Sequence, residues 1–164
     1  MIRRVKVEAS EYATFMDFMA TTGLRYEEAI NSWNLIIQLA GENKLRMRSW
    51  SIIGFKGIFI RRTKKAFISF VPKDLINEIV KYRPLTFNVL RKRIQRRRLK
   101  LRFGDIRELH ASVLTKYLRE REIDFLHGRT STSVFMRNYF NPAWIQDLKN
   151  RALEGAHELL KVLS

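Results

Sequence analysis

Apolar residues recur at helical spacing over most of the chain. Tyr12, Phe15, Met16 and Met19 share one face of a helix predicted over 10–21, with Ser10 as its N-cap. Thr22-Gly23 ends it, because glycine readily adopts the left-handed conformation that closes a helix. A second helix is predicted over 26–40. Its apolar face is Ala29, Trp33, Ile36, Ile37 and Ala40, and Gly41 stops it.

The pattern then changes period. The stretch 45–55 fits neither template well, but 57–71 reads as a β-hairpin. Ile58, Phe59 and Ile60 form one arm, and Phe67, Ile68, Phe70 and Val71 the other. The polar stretch 61–65 makes the turn, and Pro72 closes the second strand.

Helical spacing returns after Pro72. Asp74 is placed to cap a helix carrying Leu75, Ile76, Ile79 and Val80, which Arg83-Pro84 breaks. Another starts at Thr86 and runs through Phe87, Leu90 and Ile94. Asp105 is placed to cap one over 106–118, and shorter helices are predicted over 122–126 and 133–139. Asn141-Pro142 pairs a good cap with a proline at the first helical position. The last helix then carries Trp144, Ile145, Leu148, Ala152, Leu153, Ala156, Leu159, Leu160 and Leu163. These elements predict a mainly α fold with a small antiparallel β-sheet or hairpin, as one domain over 1–164.

Composition narrows the partner. The 164 residues carry a formal net charge of +16, and 46% are hydrophobic. A chain this apolar folds rather than staying disordered, and its charge points to a polyanion, most often nucleic acid. The absence of cysteine excludes disulfides, cysteine metal sites and thiol catalysis. His110, His127 and His157 are too scattered to suggest a zinc site. No apolar run is long enough to span a membrane, and MIRRVKVEAS lacks the apolar stretch of a signal peptide. A soluble cytoplasmic, DNA-associated protein is expected.

The charge is clustered. RKRIQRRRLKLR, over 91–102, holds Arg91, Lys92, Arg93, Arg96, Arg97, Arg98, Lys100 and Arg102 and no acid. Such a run suits the phosphate backbone and gives sequence-independent, salt-sensitive affinity. A solvated helix face is the plainer alternative. Ile94, Leu99 and Leu101 within the run predict an ordered, partly buried segment.

Three strings carry more specific chemistry: TTGLRYEE (21–28), TKKAFISFVP (63–72) and HGRTSTSVFMRNYF (127–140). Together with Arg107 they resemble, in order, the boxes of the tyrosine recombinases, the lambda-integrase family. Thr-Gly-Leu-Arg with Glu28 three residues on resembles the first box. Arg107 opens a helix as the second-box arginine does. Gly128-Arg129 stands where the family has glycine followed by His or Trp. Tyr139 lies 10 residues after Arg129 and 32 after Arg107. An arginine at position 129 makes the chain most similar to integrases of archaeal viruses and plasmids. The likeness covers nearly the whole chain, and the ordered set is more specific than any one string.

The resemblance implies the breaking-rejoining catalytic fold, no metal or cofactor, and the catalytic residues Arg25, Lys64, Arg107, Arg129 and Tyr139. Taken singly, Arg25 is an ordinary surface arginine paired with Glu28, and Tyr139 an aromatic before a turn. A guanidinium suits non-bridging phosphate oxygens because its planar fork stays charged and donates two parallel bonds. Glu28 would steady Arg25 from one helical turn away. Lys64, eight residues before Pro72, would protonate the departing 5′ oxygen. Lys65 is its immediate rival. Arg129 would donate to the transition state. A phenol has a pKa of about 10 and needs cations or a base nearby to attack. His110, one turn beyond Arg107, is a supporting candidate, although a lone helical histidine is more often structural.

One position departs from the family pattern. Gly104 stands three residues before Arg107, where the family has His or Lys. Lys100, Arg102, His110 and His127 are the candidates to replace that proton-shuttling group. The family also implies double-stranded DNA attachment sites, self-association on them, and an N-terminal core-binding domain. This chain starts just before the first box, so that domain is expected to be absent or supplied separately. The last helix is expected to pack either on its own domain or on a neighbouring protomer. Two other functions stay open. One is a type IB topoisomerase-like nicking-closing activity; the other is a DNA-binding protein with impaired catalysis.

Overall fold

The computed structural model describes residues 2–42, 52–54, 68–129 and 142–164. The chain is mainly helical. Helix α1 (Ile2–Glu8) leads through a 3-10 turn (Ser10–Tyr12) into α2 (Ala13–Thr22), and α3 (Tyr26–Gly41) follows. Strands β1 (Ile52–Gly54) and β2 (Ile68–Phe70) precede α4 (Lys73–Ile79), α5 (Phe87–Arg96), α6 (Phe103–Leu114), α7 (Glu120–Leu126) and α8 (Pro142–Leu163).

The helices form where the apolar periodicity placed them, with shifted ends. Ser10 opens a 3-10 turn and makes no capping hydrogen bond; α2 starts three residues later. Asp74 and Asp105 sit inside the first turns of their helices, not at the caps. There their negative charges still face the positive end of the helix dipole. Helix α6 begins at Phe103 and stops at Leu114, short of the expected Leu118, and a turn with a backbone bond from Leu118 N–H to Leu114 O follows. Helix α1 was not foreseen. It buries Val5, and Arg3 and Lys6 donate to the carbonyls of Val162 and Leu163. That places two cations at the negative end of α8.

β1 and β2 pair antiparallel, with Ile52 opposite Phe70, Ile53 opposite Ser69 and Gly54 opposite Ile68. β2 falls within the predicted second arm, but its partner comes from the stretch whose pattern was ambiguous. Ile68, Ser69 and Phe70 are all buried, so this strand is covered on both faces. The predicted first arm at 58–60, its turn with Lys64 and Lys65, and the 133–139 helix with Tyr139 lie outside the described residues.

Two apolar clusters hold the elements together. The larger joins Phe15, Phe18, Met19, Leu24, Trp33 and Ile76 with residues of α5 and α6. The smaller joins Phe70, Leu114, Phe125, Leu126 and Leu148. Helix α8 packs on α2 and α6 of its own chain, and Leu148, Ala152, Ala156 and Leu159 are its buried stripe. Close approach to α6 requires Gly155, since a Cβ there would overlap Leu114.

Candidate functional site

Two helix ends present two of the arginines. Helix α2 closes on Gly23, whose φ of 60° is the left-handed conformation and whose N–H bonds to Met19 O at 3.0 Å. Leu24 is buried, and Arg25 then becomes the N-cap residue of α3. Its backbone N–H donates to Glu28 Oε2 at 3.0 Å, and its guanidinium donates to Glu28 Oε1 at 2.9 Å. One carboxylate thus caps the helix and aims the arginine.

Helix α7 closes in a similar way. Gly128, at φ 62°, donates to Phe125 O at 2.9 Å, and Arg129 N–H donates to Asp124 O at 2.8 Å. This 6→1 and 5→2 pair is the Schellman motif, and it puts Arg129 immediately outside the helix. Its guanidinium is 3.0 Å from Asp124 Oδ1 and about half exposed.

Arg107 comes from the first half of α6 and is nearly buried. Its Nη2 donates to His127 O at 2.6 Å. Its Nη1 lies 4.0 Å from Glu28 Oε2, too far for a hydrogen bond. That buried Nη1 has no hydrogen-bond partner among the described residues. Burial and the neighbouring Arg25 charge push Arg107 down to about 10, against the pull of Glu28. It remains a cation at neutral pH.

The structure therefore brings Arg25, Glu28, Arg107 and Arg129 into one electrostatic neighbourhood. His110 is there too, fully buried, its Nδ1 2.8 Å from His127 Nε2. Lys64 and Tyr139 lie outside the described residues. Asp124 was not foreseen; its only trace in the sequence is an acid five residues before Arg129. Gly104 is exposed, and a Cβ there would meet none of the described residues within 4 Å. Nothing steric enforces glycine at that position.

The basic run folds as an amphipathic helix and the turn after it. Leu90, Ile94 and Leu99 are buried, whereas Arg91, Lys92, Arg96, Arg97, Arg98, Lys100 and Arg102 are exposed. Some of these cations have internal partners. Arg91 lies 4.9 Å over the Tyr26 ring, which also stacks on Phe103. Arg93 pairs with Glu11 at 2.8 Å and Arg102 with Asp105 at 3.0 Å. Arg98 adopts a left-handed φ of 52°, and the bonds from Leu99 N–H to Ile94 O and Arg98 N–H to Gln95 O form a second Schellman closure.

Among the described residues, no helix is long and apolar enough to cross a membrane. Neither the curated proteins nor the solved structures contain a match to the chain. The family model described as archaeal phage integrase matches residues 1–151, which include every element from α1 through the first half of α8. By that match, which spans most of its length, the chain belongs to the archaeal phage integrase family.

Proposed function

We propose that this chain is the catalytic domain of a tyrosine recombinase with the breaking-rejoining fold, acting on double-stranded DNA attachment sites. Tyr139 Oη, giving up its proton to water, attacks a backbone phosphorus while the bond from phosphorus to the 5′ oxygen breaks. A 3′-phosphotyrosyl link forms and a 5′-hydroxyl leaves, taking its proton from Lys64. Attack by a 5′-hydroxyl then reverses the step and frees the tyrosine. The link conserves the energy of the phosphodiester, so rejoining needs no ATP. Arg25 and Arg107 hold the non-bridging oxygens, and Arg129 adds a donor as charge builds in the transition state. The basic face of α5 and the turn after it hold flanking backbone.

The observation that carries this reading is the convergence of three arginines from distant parts of the chain around Glu28 and His127, with Arg107 Nη1 buried and lacking an acceptor among the described residues. A buried cationic donor without an acceptor is costly unless an anion completes it.

Covalent trapping on a nicked suicide duplex tests it. Wild type should give a slow band on a denaturing gel, and Tyr139→Phe should give none. Lys64→Ala and Lys65→Ala then separate the two lysines. Salt-sensitive binding with no covalent band on cognate or pooled DNA would favour a binding-only protein. Relaxation of supercoils without strand exchange would favour the nicking-closing activity.

A further inference from the structure

The His110–His127 contact touches every segment that carries an arginine of the site. Arg107 and His110 lie one turn apart on α6, and both grip His127: Arg107 Nη2 at its carbonyl, 2.6 Å, and His110 Nδ1 at its ring, 2.8 Å. The turn through Gly128 to Arg129 starts from that doubly held residue. On the other side, Gly23 lies against both rings. A Cβ there would come within 2.5 Å of His110 Nδ1 and 2.6 Å of His127 Nε2. Gly23 is two residues before Arg25. The pair is thus the common contact of the first arginine's turn, the second arginine's helix and the third arginine's loop.

Both imidazoles are buried, at 2% and 1% exposure. A bond between two ring nitrogens needs one N–H and one lone pair, which two neutral imidazoles supply. A further proton would place a cation in a crowded electrostatic setting. Arg25 at the N-cap of α3, Arg107 on α6 and Arg129 after α7 act on the pair, and Glu28 and Asp124 act on Arg107 beside it. Thr21, Thr22, Ser69, Phe70, Leu126 and Ala152, which line the small cavity beside His110, carry no charge. Burial first opposes protonation of both rings, followed by Arg107 at His110 and by His110 and the arginines at His127, and outweighs the bond of His110 to the Thr21 backbone.

We propose that the His110–His127 pair is the positioning element of this site, an uncharged strut that sets the spacing of Arg25, Arg107 and Arg129. The proposal rests on the recombinase reading above. Neither histidine touches the reacting atoms in this scheme. They act through the arginines, and a displacement of about 1 Å at such groups costs on the order of 100-fold in rate.

The test uses the full chain and two readouts. Imidazole nitrogen spectra report protonation directly, and each ring should hold a single proton from about pH 8 down to about pH 4. A midpoint near the ordinary value of about 6.5 for either ring would overturn the strut. Covalent trapping rates are then compared for wild type, His110→Leu, His127→Leu and the double variant. Each single variant leaves one buried ring nitrogen of the remaining imidazole without its partner and should melt several degrees lower. The double variant removes both polar groups and should recover most of that loss. A strut predicts that the recovered double variant still binds the duplex yet cleaves about 100-fold more slowly at saturating DNA. Wild-type cleavage by a folded double variant would overturn the proposal and leave the recombinase reading standing. Failure of wild type to trap DNA at all would overturn both.

Discussion

Arg151 grips Glu122 with both arms of its guanidinium, at 2.9 and 2.8 Å. The same carboxylate caps α7 by accepting from Arg119 N–H at 2.7 Å. Arg151 Nη1 also donates to Tyr117 O at 3.0 Å. One arginine of α8 therefore fastens that helix to α7 and to the turn before it. Burial pushes the Glu122 carboxyl up, but the bonds and charges of Arg151 and Arg119 outweigh it and hold it below its ordinary value.

Arg151→Leu should leave Glu122 buried with only its capping bond. The expected loss of stability is about 2–3 kcal/mol, read by urea denaturation at neutral pH. A loss below about 0.5 kcal/mol would mean that apolar packing alone holds α8.

Gly23 and Gly104 should respond oppositely to alanine. At Gly23 the left-handed backbone and the two imidazoles both oppose a Cβ, so Gly23→Ala should destabilise by more than about 2 kcal/mol. Gly104 lies in α6 with open space around it, so Gly104→Ala should stabilise by roughly 0.5–1 kcal/mol. Thermal melts of the two variants side by side check both signs.

The buried histidines should make the fold acid-sensitive well above the carboxylate range. His110 is lowered to about 3, by burial and by Arg107. His127 is lowered to about 2, by burial, His110 and the arginines. An unfolded chain binds protons on these rings from about pH 6.5 downward, whereas the folded chain does not. The unfolded state then holds more protons, so stability falls as pH drops below about 6.5 and levels off only near the folded values. The slope is up to about 1.4 kcal/mol per pH unit for each ring. Denaturation between about pH 7 and 5 should show this slope in wild type and lose it in the His110→Leu/His127→Leu variant.

Arg98 occupies a left-handed position that glycine fills at lower cost. Arg98→Gly should stabilise the fold by about 1 kcal/mol. On the recombinase reading it should also weaken DNA binding and reduce the salt-dependence slope by about 1. Stability and affinity moving in opposite directions would identify a residue kept for its charge. Unchanged affinity would make Arg98 a bystander.

The helical core was legible because its signal is local. Trp33, Ile76 and Leu148 lie where a 3.6-residue period puts them, and all three are buried. Helix α1 was missed because IRRVKVE buries only Val5, too little to make a pattern. The partner of β2 was missed because pairing between 52–54 and 68–70 is non-local, and the strand's full burial erases alternation. At the site, the Arg25–Glu28 pair could be read from its spacing of three. The contact between His110 and His127 could not, since it spans 17 residues and two helices. Asp124 was hidden because its role depends on the turn at Gly128.

On the recombinase reading, Glu28 and Asp124 set the terms on which a phosphate meets Arg25 and Arg129. Arg25 and Arg129 already have carboxylate partners, so an incoming anion exchanges partners at these two, whereas Arg107 Nη1 offers a donor with no acceptor among the described residues. Each new contact is discounted by the one given up, and a small free anion gains little from the trade. On the recombinase reading a phosphate within a polymer is different, because the α5 face would hold its neighbours at high local concentration. On that reading the same two acids that aim the arginines would bias the site toward phosphodiesters in a chain over phosphate alone.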